Sequence, residues 1–250
     1  MIRRVSLHDV GRAVLDLFMP RRCIVCSGLL ALHEDHICLH CLADMPRTHF
    51  STCSRNQMAD RFNELLQRHL DTSGDFFEYS YASALFFYRS STGYRLITQS
   101  LKYHGDIAAG RYFSKMLGRE LASSWMFKDV DAIVPVPLHW SRRWSRGYNQ
   151  AEIIADELSC CLGVPHRKDI LVRPRRTRSQ TKMSMEEKTS NVHGAFKVRK
   201  KADLRGLHHL LIVDDVFTTG ATLFACYLAL REHLSPDVRI SVATLACVGR

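Results

Sequence analysis

The strongest constraint on the fold lies near the C-terminus. Leu210-Leu211-Ile212-Val213 is an uninterrupted apolar run, followed at once by Asp214 and Asp215 and then by the turn Thr218-Thr219-Gly220-Ala221-Thr222. A strand apolar at every position is buried on both faces, the condition of a parallel sheet covered by helices. Two adjacent carboxylates at its C-terminal end stand where open α/β sheets bind ligands. The turn opens the helical pattern ATLFACYLALREHL, so its amides, its hydroxyls and the helix dipole make an anion site suited to a phosphate monoester. The acids suit vicinal hydroxyls and, through them, a Mg2+-chelated pyrophosphate. A ribose 5-phosphate fits both halves.

The rest of the chain agrees with an α/β protein. YSYASALFFY at 79–88, DAIVPVP at 131–137 and VRISVATLACV at 238–248 read as strands. Helical patterns fall between them, at about 91–103, 107–124 and 148–161. The segment 173–192 is long, polar and basic, as a functional or disordered loop is. Residues 1 to about 20 read as a short amphipathic helix stopped by Pro20, and 55–70 as another, with Met58, Phe62, Leu65 and Leu66 on one face. No apolar run approaches the roughly 18 residues of a membrane span. The N-terminus lacks the apolar centre of a secretory signal, so a cytoplasmic location is expected.

Cys23-x2-Cys26 and Cys38-x2-Cys41 lie 11 residues apart. Two such hairpins can present four thiolates to one structural Zn2+ ion; two redox pairs or buried free thiols are the other readings. His36, His40 and Cys53 are near enough in sequence to substitute as ligands. Cys160, Cys161, Cys226 and Cys247 sit in apolar contexts and read as core thiols. The turn TSGD at 72–75 divides the chain into a zinc-binding module, 1–75, and an α/β domain, 76–250.

Charge is uneven. The chain carries a formal +10, and His139 to Arg205 holds 16 Lys+Arg against 7 Asp+Glu. Such a window is a solvated face, a nucleic-acid footprint or a pocket for an anionic small molecule. Trp140, Trp144, Tyr148 and Phe196 fall in it and offer stacking faces for single-stranded DNA.

The acid pair with its turn resembles the phosphoribosyl pyrophosphate (PRPP) motif of type I phosphoribosyltransferases. The order of the cysteine pairs, Leu101-Lys102-Tyr103-His104-Gly105-Asp106, Val134-Pro135-Val136-Pro137-Leu138, Arg146-Gly147-Tyr148-Asn149-Gln150, Arg178-Ser179-Gln180-Thr181 and the PRPP motif resembles the ComF family (the ComFC/GntX group). The resemblance runs from about Phe18 to Leu245. It implies a type I phosphoribosyltransferase-like fold, a parallel sheet flanked by helices, behind a small zinc knuckle or ribbon. It implies PRPP at Asp214, Asp215 and Thr218 to Thr222. Arg142, Arg143 and Arg146 either supply charge to the pyrophosphate or start a surface basic helix. Arg suits the first role because its planar fork bonds phosphate bidentately. Lys102 either reaches an anion or solvates a helix end. Segment 173–192 matches the flexible catalytic loop, with Arg178, Gln180 and Lys188 as its contacts; Gln180 joins Asp214 and Asp215 as a catalytic candidate. Tyr148, Asn149 and Gln150 match the family signature without an evident chemical role. The family is associated with uptake and use of DNA, so single-stranded DNA and a DNA-uptake protein are the expected macromolecular partners. An active phosphoribosyltransferase of unknown acceptor and a non-catalytic PRPP sensor are the alternatives. Ile2 stands where a glutaminase would carry its nucleophilic Cys, so ammonia transfer from glutamine is not expected.

Overall fold

Alternation along the strands decides which side chains meet. In the computed structural model, which describes residues 15–70, 78–174 and 194–249, Leu210 and Ile212 of strand β5 (His209–Phe217) enter one apolar cluster while Leu211 and Val213 enter another. Successive side chains of a strand point to opposite faces, so this strand is fully buried between two layers. Ile240 and Val242 of β6 join the first cluster, and Ala243 and Leu245 the second.

In chain order the elements are α1 (Leu39–Ala43), α2 (Gln57–Leu70), β1 (Ala82–Tyr88), α3 (Arg95–Gln99), a π-helical turn (Ser100–His104), α4 (Ile107–Ala122), β2 (Ala132–Pro135), α5 (Trp140–Arg146), α6 (Gln150–Leu162), β3 (Leu171–Val172), β4 (Lys197–Val198), β5 (His209–Phe217), α7 (Ala221–Arg231) and β6 (Arg239–Val248). The main sheet has the order β1-β6-β5-β2, and every pairing in it is parallel. Helices α4 and α6 cover one face: Phe113, Leu117 and Leu121 repeat every fourth residue of α4, and Ile154 and Leu158 do so on α6. Helices α2 and α7 cover the other through Met58, Phe62 and Leu66 and through Leu223, Phe224 and Tyr227. Each fully buried side chain of this size stabilises by roughly 1.5–3 kcal/mol relative to exposure. No helix among the described residues is long and apolar enough to cross a membrane.

The short strands β3 and β4 pair antiparallel, Leu171 with Val198 and Val172 with Lys197. They hold the two flanks of the basic segment side by side; residues 175–193 themselves lie outside the described residues, as do 1–14 and the predicted turn at 72–75. Helix α2, which precedes that turn, is part of the core beneath the sheet.

The structure corrects four local expectations. Strand β5 does not stop at Val213 but runs through both acids to Phe217, because β6 continues to pair with it as far as Phe217–Cys247. The helix expected over 91–103 is only the five residues of α3, and widens into the π turn. Cys160 is exposed and Cys161 partly so, because they lie on α6 beyond the stripe that Ile154 and Leu158 bury. Phe196 is buried beneath the Arg173 guanidinium, which lies 5.0 Å from its ring, so it offers no stacking face.

Candidate functional site

Strand β2 ends at Pro135, paired with Val213. Asp214 and Asp215 therefore stand just beyond its end, where β5 projects past its neighbour. Asp215 is buried and Asp214 half-buried. The Asp215 amide donates to Asp214 Oδ1 at 2.9 Å. Lys102, in the π turn, places Nζ 2.7 Å from Asp215 Oδ2. Burial, followed by the charge of Asp215, pushes the Asp214 carboxyl up to about 7, and Lys102 only partly opposes them. Burial disfavours the Lys102 ammonium, but the two carboxylates outweigh it and hold its pKa above the ordinary value. Lys102 and the acid pair, more than a hundred residues apart in sequence, thus form one cluster at the C-terminal edge of the sheet.

The turn follows directly. Gly220 has φ +83° and opens the 11-residue helix α7 without a side-chain cap of its own; the Ala221 amide reaches the Thr219 hydroxyl at a long 3.4 Å, at a helix start suited to an anion. A Cβ on Gly220 would lie 2.9 Å from Cζ of Phe217 and 3.0 Å from Cδ1 of Leu65, so this position requires glycine on both conformational and packing grounds. Leu65 belongs to α2. So does Arg61, whose guanidinium donates to the carbonyls of Thr218 at 2.5 Å and Val248 at 2.8 Å and lies over the Phe217 ring at 5.3 Å. The sequence reading missed Arg61, because nothing local distinguishes it from any helical arginine. Arg61→Ala is expected to weaken ribose 5-phosphate binding about tenfold, the worth of one charge-assisted hydrogen bond, with partial recovery in Arg61→Lys. Calorimetry showing unchanged affinity in Arg61→Ala would remove it from the support of the turn.

The segment between β2 and α6 borders the same edge. Asn149 caps α6, accepting from the Ala151 amide at 3.2 Å, and donates to the Val136 carbonyl at 3.0 Å. The Tyr148 hydroxyl donates to the Leu101 carbonyl, tying this segment to the turn that carries Lys102. The signature residues Tyr148 and Asn149 therefore hold backbone in place. Arg143 pairs with Glu152 at 3.1 Å, and Arg146 lies over the exposed Tyr103 ring at 5.6 Å. Trp140 and Trp144, four residues apart on α5, are 68% and 89% exposed. The Arg142 side chain, Arg178, Gln180 and Lys188 lie outside the described residues.

The second cluster is the cysteine knuckle. The sulfurs of Cys23, Cys26, Cys38 and Cys41 all lie within 4.8 Å of one another, with Cys26 and Cys38 at 3.9 Å. Sulfurs around a tetrahedral zinc with Zn–S bonds of about 2.3 Å stand about 3.8 Å apart, so the set fits that ion. The Cys38 amide points at the Cys23 sulfur and the Cys41 amide at the Cys38 sulfur, both at 3.4 Å. Burial raises the Cys23 thiol, but amide donors from Cys38, Cys26 and Val25 outweigh it and bring it down to about 7. Neither histidine candidate nor Cys53 joins the cluster. The knuckle is anchored to the sheet. Pro46 accepts from the Phe87 amide at 2.8 Å along the edge of β1, and Tyr94 donates to the Cys41 carbonyl at 2.8 Å. Gly93 lies so close to the Val25 carbonyl that a Cβ there would sit 2.1 Å from its oxygen.

The parallel sheet with helices on both faces, and an acid pair and helix-opening turn at its C-terminal edge, define an open α/β protein with its candidate ligand site where such sheets bind ligands. The chain is similar to Competence protein F of Haemophilus influenzae, 31% identical over 131 residues that cover 51% of this chain and 57% of that protein. It is 40% identical over 94 residues to the DNA utilization protein YhgH of Salmonella typhi, covering 37% of this chain and 40% of that one. To ComFC, a competence protein of Bacillus subtilis, it is 30% identical over 122 residues, 49% of this chain and 47% of that protein. The chain is thus similar over part of its length to proteins named for competence and for DNA utilization. The matched segment spans about half the length of these relatives. Among solved structures, glutamine PRPP amidotransferase from B. subtilis superposes over 58% of this chain and 30% of its own, at 18% identity and a TM-score of 0.36. Orotate phosphoribosyltransferase from Aeropyrum pernix superposes over 72% of this chain and 81% of its own, at 16% identity and a TM-score of 0.35. The fold class follows from the strand order and the site, not from these superpositions. No protein-family model matches the chain.

Proposed function

We propose that this protein binds PRPP with Mg2+ at the acid pair and the Thr/Gly turn, and acts in the cytoplasm in DNA uptake or the use of DNA. The observation that carries the ligand reading is the cluster of Asp214, Asp215 and Lys102 beside the Thr/Gly turn that starts α7. In this reading the amides and hydroxyls from Thr218 to Thr222 take the 5-phosphate, and the two acids take the 2′- and 3′-hydroxyls. Arg142, Arg143 and Arg146 approach the pyrophosphate once Glu152 releases Arg143. Mg2+ would be held with the ligand on the side of Asp214 and Asp215, and would supply the charge that neutralises the pyrophosphate. Zn2+ on the four cysteines is structural, since a closed thiolate set leaves no open position for substrate.

The DNA reading is supported by the names of the relatives and by two exposed tryptophans beside Arg143 and Arg146 on α5. Single strands bind by base stacking on aromatic faces within a cationic track.

The test is calorimetric titration of PRPP with Mg2+ into the folded, zinc-loaded protein, with and without a short single-stranded DNA. Binding of PRPP is expected. DNA binding is expected to weaken steeply with salt, the sign of released counterions. Absence of PRPP binding would overturn the ligand reading, and salt-independent or absent DNA binding the second. Pyrophosphate release with any acceptor would establish the enzyme.

A further inference from the structure

Lys102 occupies a place that a ligand needs. Its ammonium lies 2.7 Å from Asp215 Oδ2, an oxygen buried from solvent with no hydrogen-bond donor among the described residues besides this ion contact. The lysine side chain remains 30% exposed, whereas that of Asp215 is only 7% exposed. The backbone on both sides of Lys102 is fixed. Leu101 is tied to the Tyr148 hydroxyl, Gly105 closes the π turn at φ +69°, and Asp106 caps α4 by accepting from the Ala109 amide at 2.9 Å. π turns inside helices are rare and recur at functional sites. Here the turn delivers a flexible four-carbon stem and a point charge to the edge where β5 outruns β2.

A vicinal diol bound at the acid pair donates to carboxylate oxygens. It therefore competes with Lys102 for Asp215. The buried pair does not separate freely, because an ammonium left without a counter-ion in a half-buried site carries a large desolvation cost. A ligand that brings its own anion next to the diol removes that cost. In a ribose 5-phosphate diphosphorylated at C1 this anion sits on C1, adjacent to the 2′-hydroxyl; ribose 5-phosphate itself has only a hydroxyl there.

We propose that Lys102 is the specificity-determining cation of the site: paired with Asp215 when the site is empty, it passes to an anionic group on C1 of the bound sugar and so selects C1-diphosphorylated ribose 5-phosphate over ribose 5-phosphate itself. This rests on the ligand reading above and adds a selection rule to it. Discrimination arises from an exchange of counter-ions, with no group that touches a base or other acceptor.

The experiment compares PRPP and ribose 5-phosphate, each with Mg2+, by calorimetry on the full chain and on Lys102→Met and Lys102→Arg. The wild type is expected to prefer PRPP. Lys102→Met is expected to lose PRPP affinity by ~30-fold or more, the value of a charge-assisted contact, with ribose 5-phosphate within ~3-fold of wild type or tighter. Lys102→Arg keeps the charge and is expected to retain most of the preference. Equal losses for both ligands in Lys102→Met, or a preference left intact, would overturn the selection rule while leaving the pocket standing. Should Lys102→Met fail to fold, Lys102→Gln decides as a second neutral variant: a PRPP to ribose 5-phosphate ratio identical to wild type in it would overturn the rule. A wild type that binds neither sugar would take down the ligand reading itself, and the rule with it.

Discussion

The double variant Asp214→Asn/Asp215→Asn is expected to lose PRPP affinity by at least ~100-fold, since two hydrogen bonds to charged acceptors at about 1.5–3 kcal/mol each are removed. Unchanged affinity by calorimetry would defeat the assignment of the acid pair. The single variants separate function from stability, because the two acids sit differently. Asp214 is pushed up to about 7 by burial and by Asp215, well above the ordinary carboxyl. Between roughly pH 4 and pH 7 the native state therefore holds a proton that the unfolded chain has released. Stability falls as pH rises through that window, and above it the full cost of the buried charge is present. Asp214→Asn removes this cost, so it is expected to raise the thermal midpoint at pH 8 and to change it little at pH 4. Asp215→Asn strips Lys102 of its counter-ion and is expected to lower the midpoint at the same pH. Thermal unfolding of both variants with the same sign at pH 8 would contradict the geometry of the cluster. A stabilising loss of ligand affinity at Asp214 is the usual trade at a binding site.

Cys23→Ser is expected to abolish stoichiometric zinc and to lower the thermal midpoint by ~5 °C or more, because structural metal binding is folding free energy. The effect should not stay within the knuckle. Cys23, Ile37, Cys41 and Met45 belong to the same apolar cluster as Leu85, Phe86, Tyr94 and Ile97, and Tyr94 donates to Cys41. Loosening the knuckle therefore removes cover from the sheet face carrying β1, and hydrogen exchange there is expected to speed up. Metal analysis finding one zinc per chain in the variant would refute the four-cysteine site. Exchange changes confined to residues before the sheet would show that the knuckle folds independently.

Strong local signals survived translation into three dimensions. The apolar run at 210–213 is a central strand buried on both faces, because four consecutive apolar residues leave neither face able to meet water. The C-x2-C pairs converge because two tight hairpins need only one packing step to bring their four thiols together. Helices α2, α4 and α6 appear where apolar residues recur at helical spacing. Boundaries fared worse. β5 extends past its apolar run because cross-strand pairing, not side-chain character, decides where a strand ends. Phe196 lies among basic residues in sequence but under Arg173 in space.

The chain's own order of residues determined the α/β class, the position of the acid pair and its turn, and the thiol cluster, since each is written in local segments of under twenty residues. Only the tertiary structure decided that Lys102 faces Asp215, that Arg61 and Leu65 of α2 support the turn at Gly220, and that Gly93 receives the knuckle. The reason is physical. These contacts join residues more than sixty positions apart in the chain, and such contacts leave no periodic or compositional trace. They exist because packing two layers of helices on a parallel sheet brings its C-terminal edge, α2 and the π turn to one place.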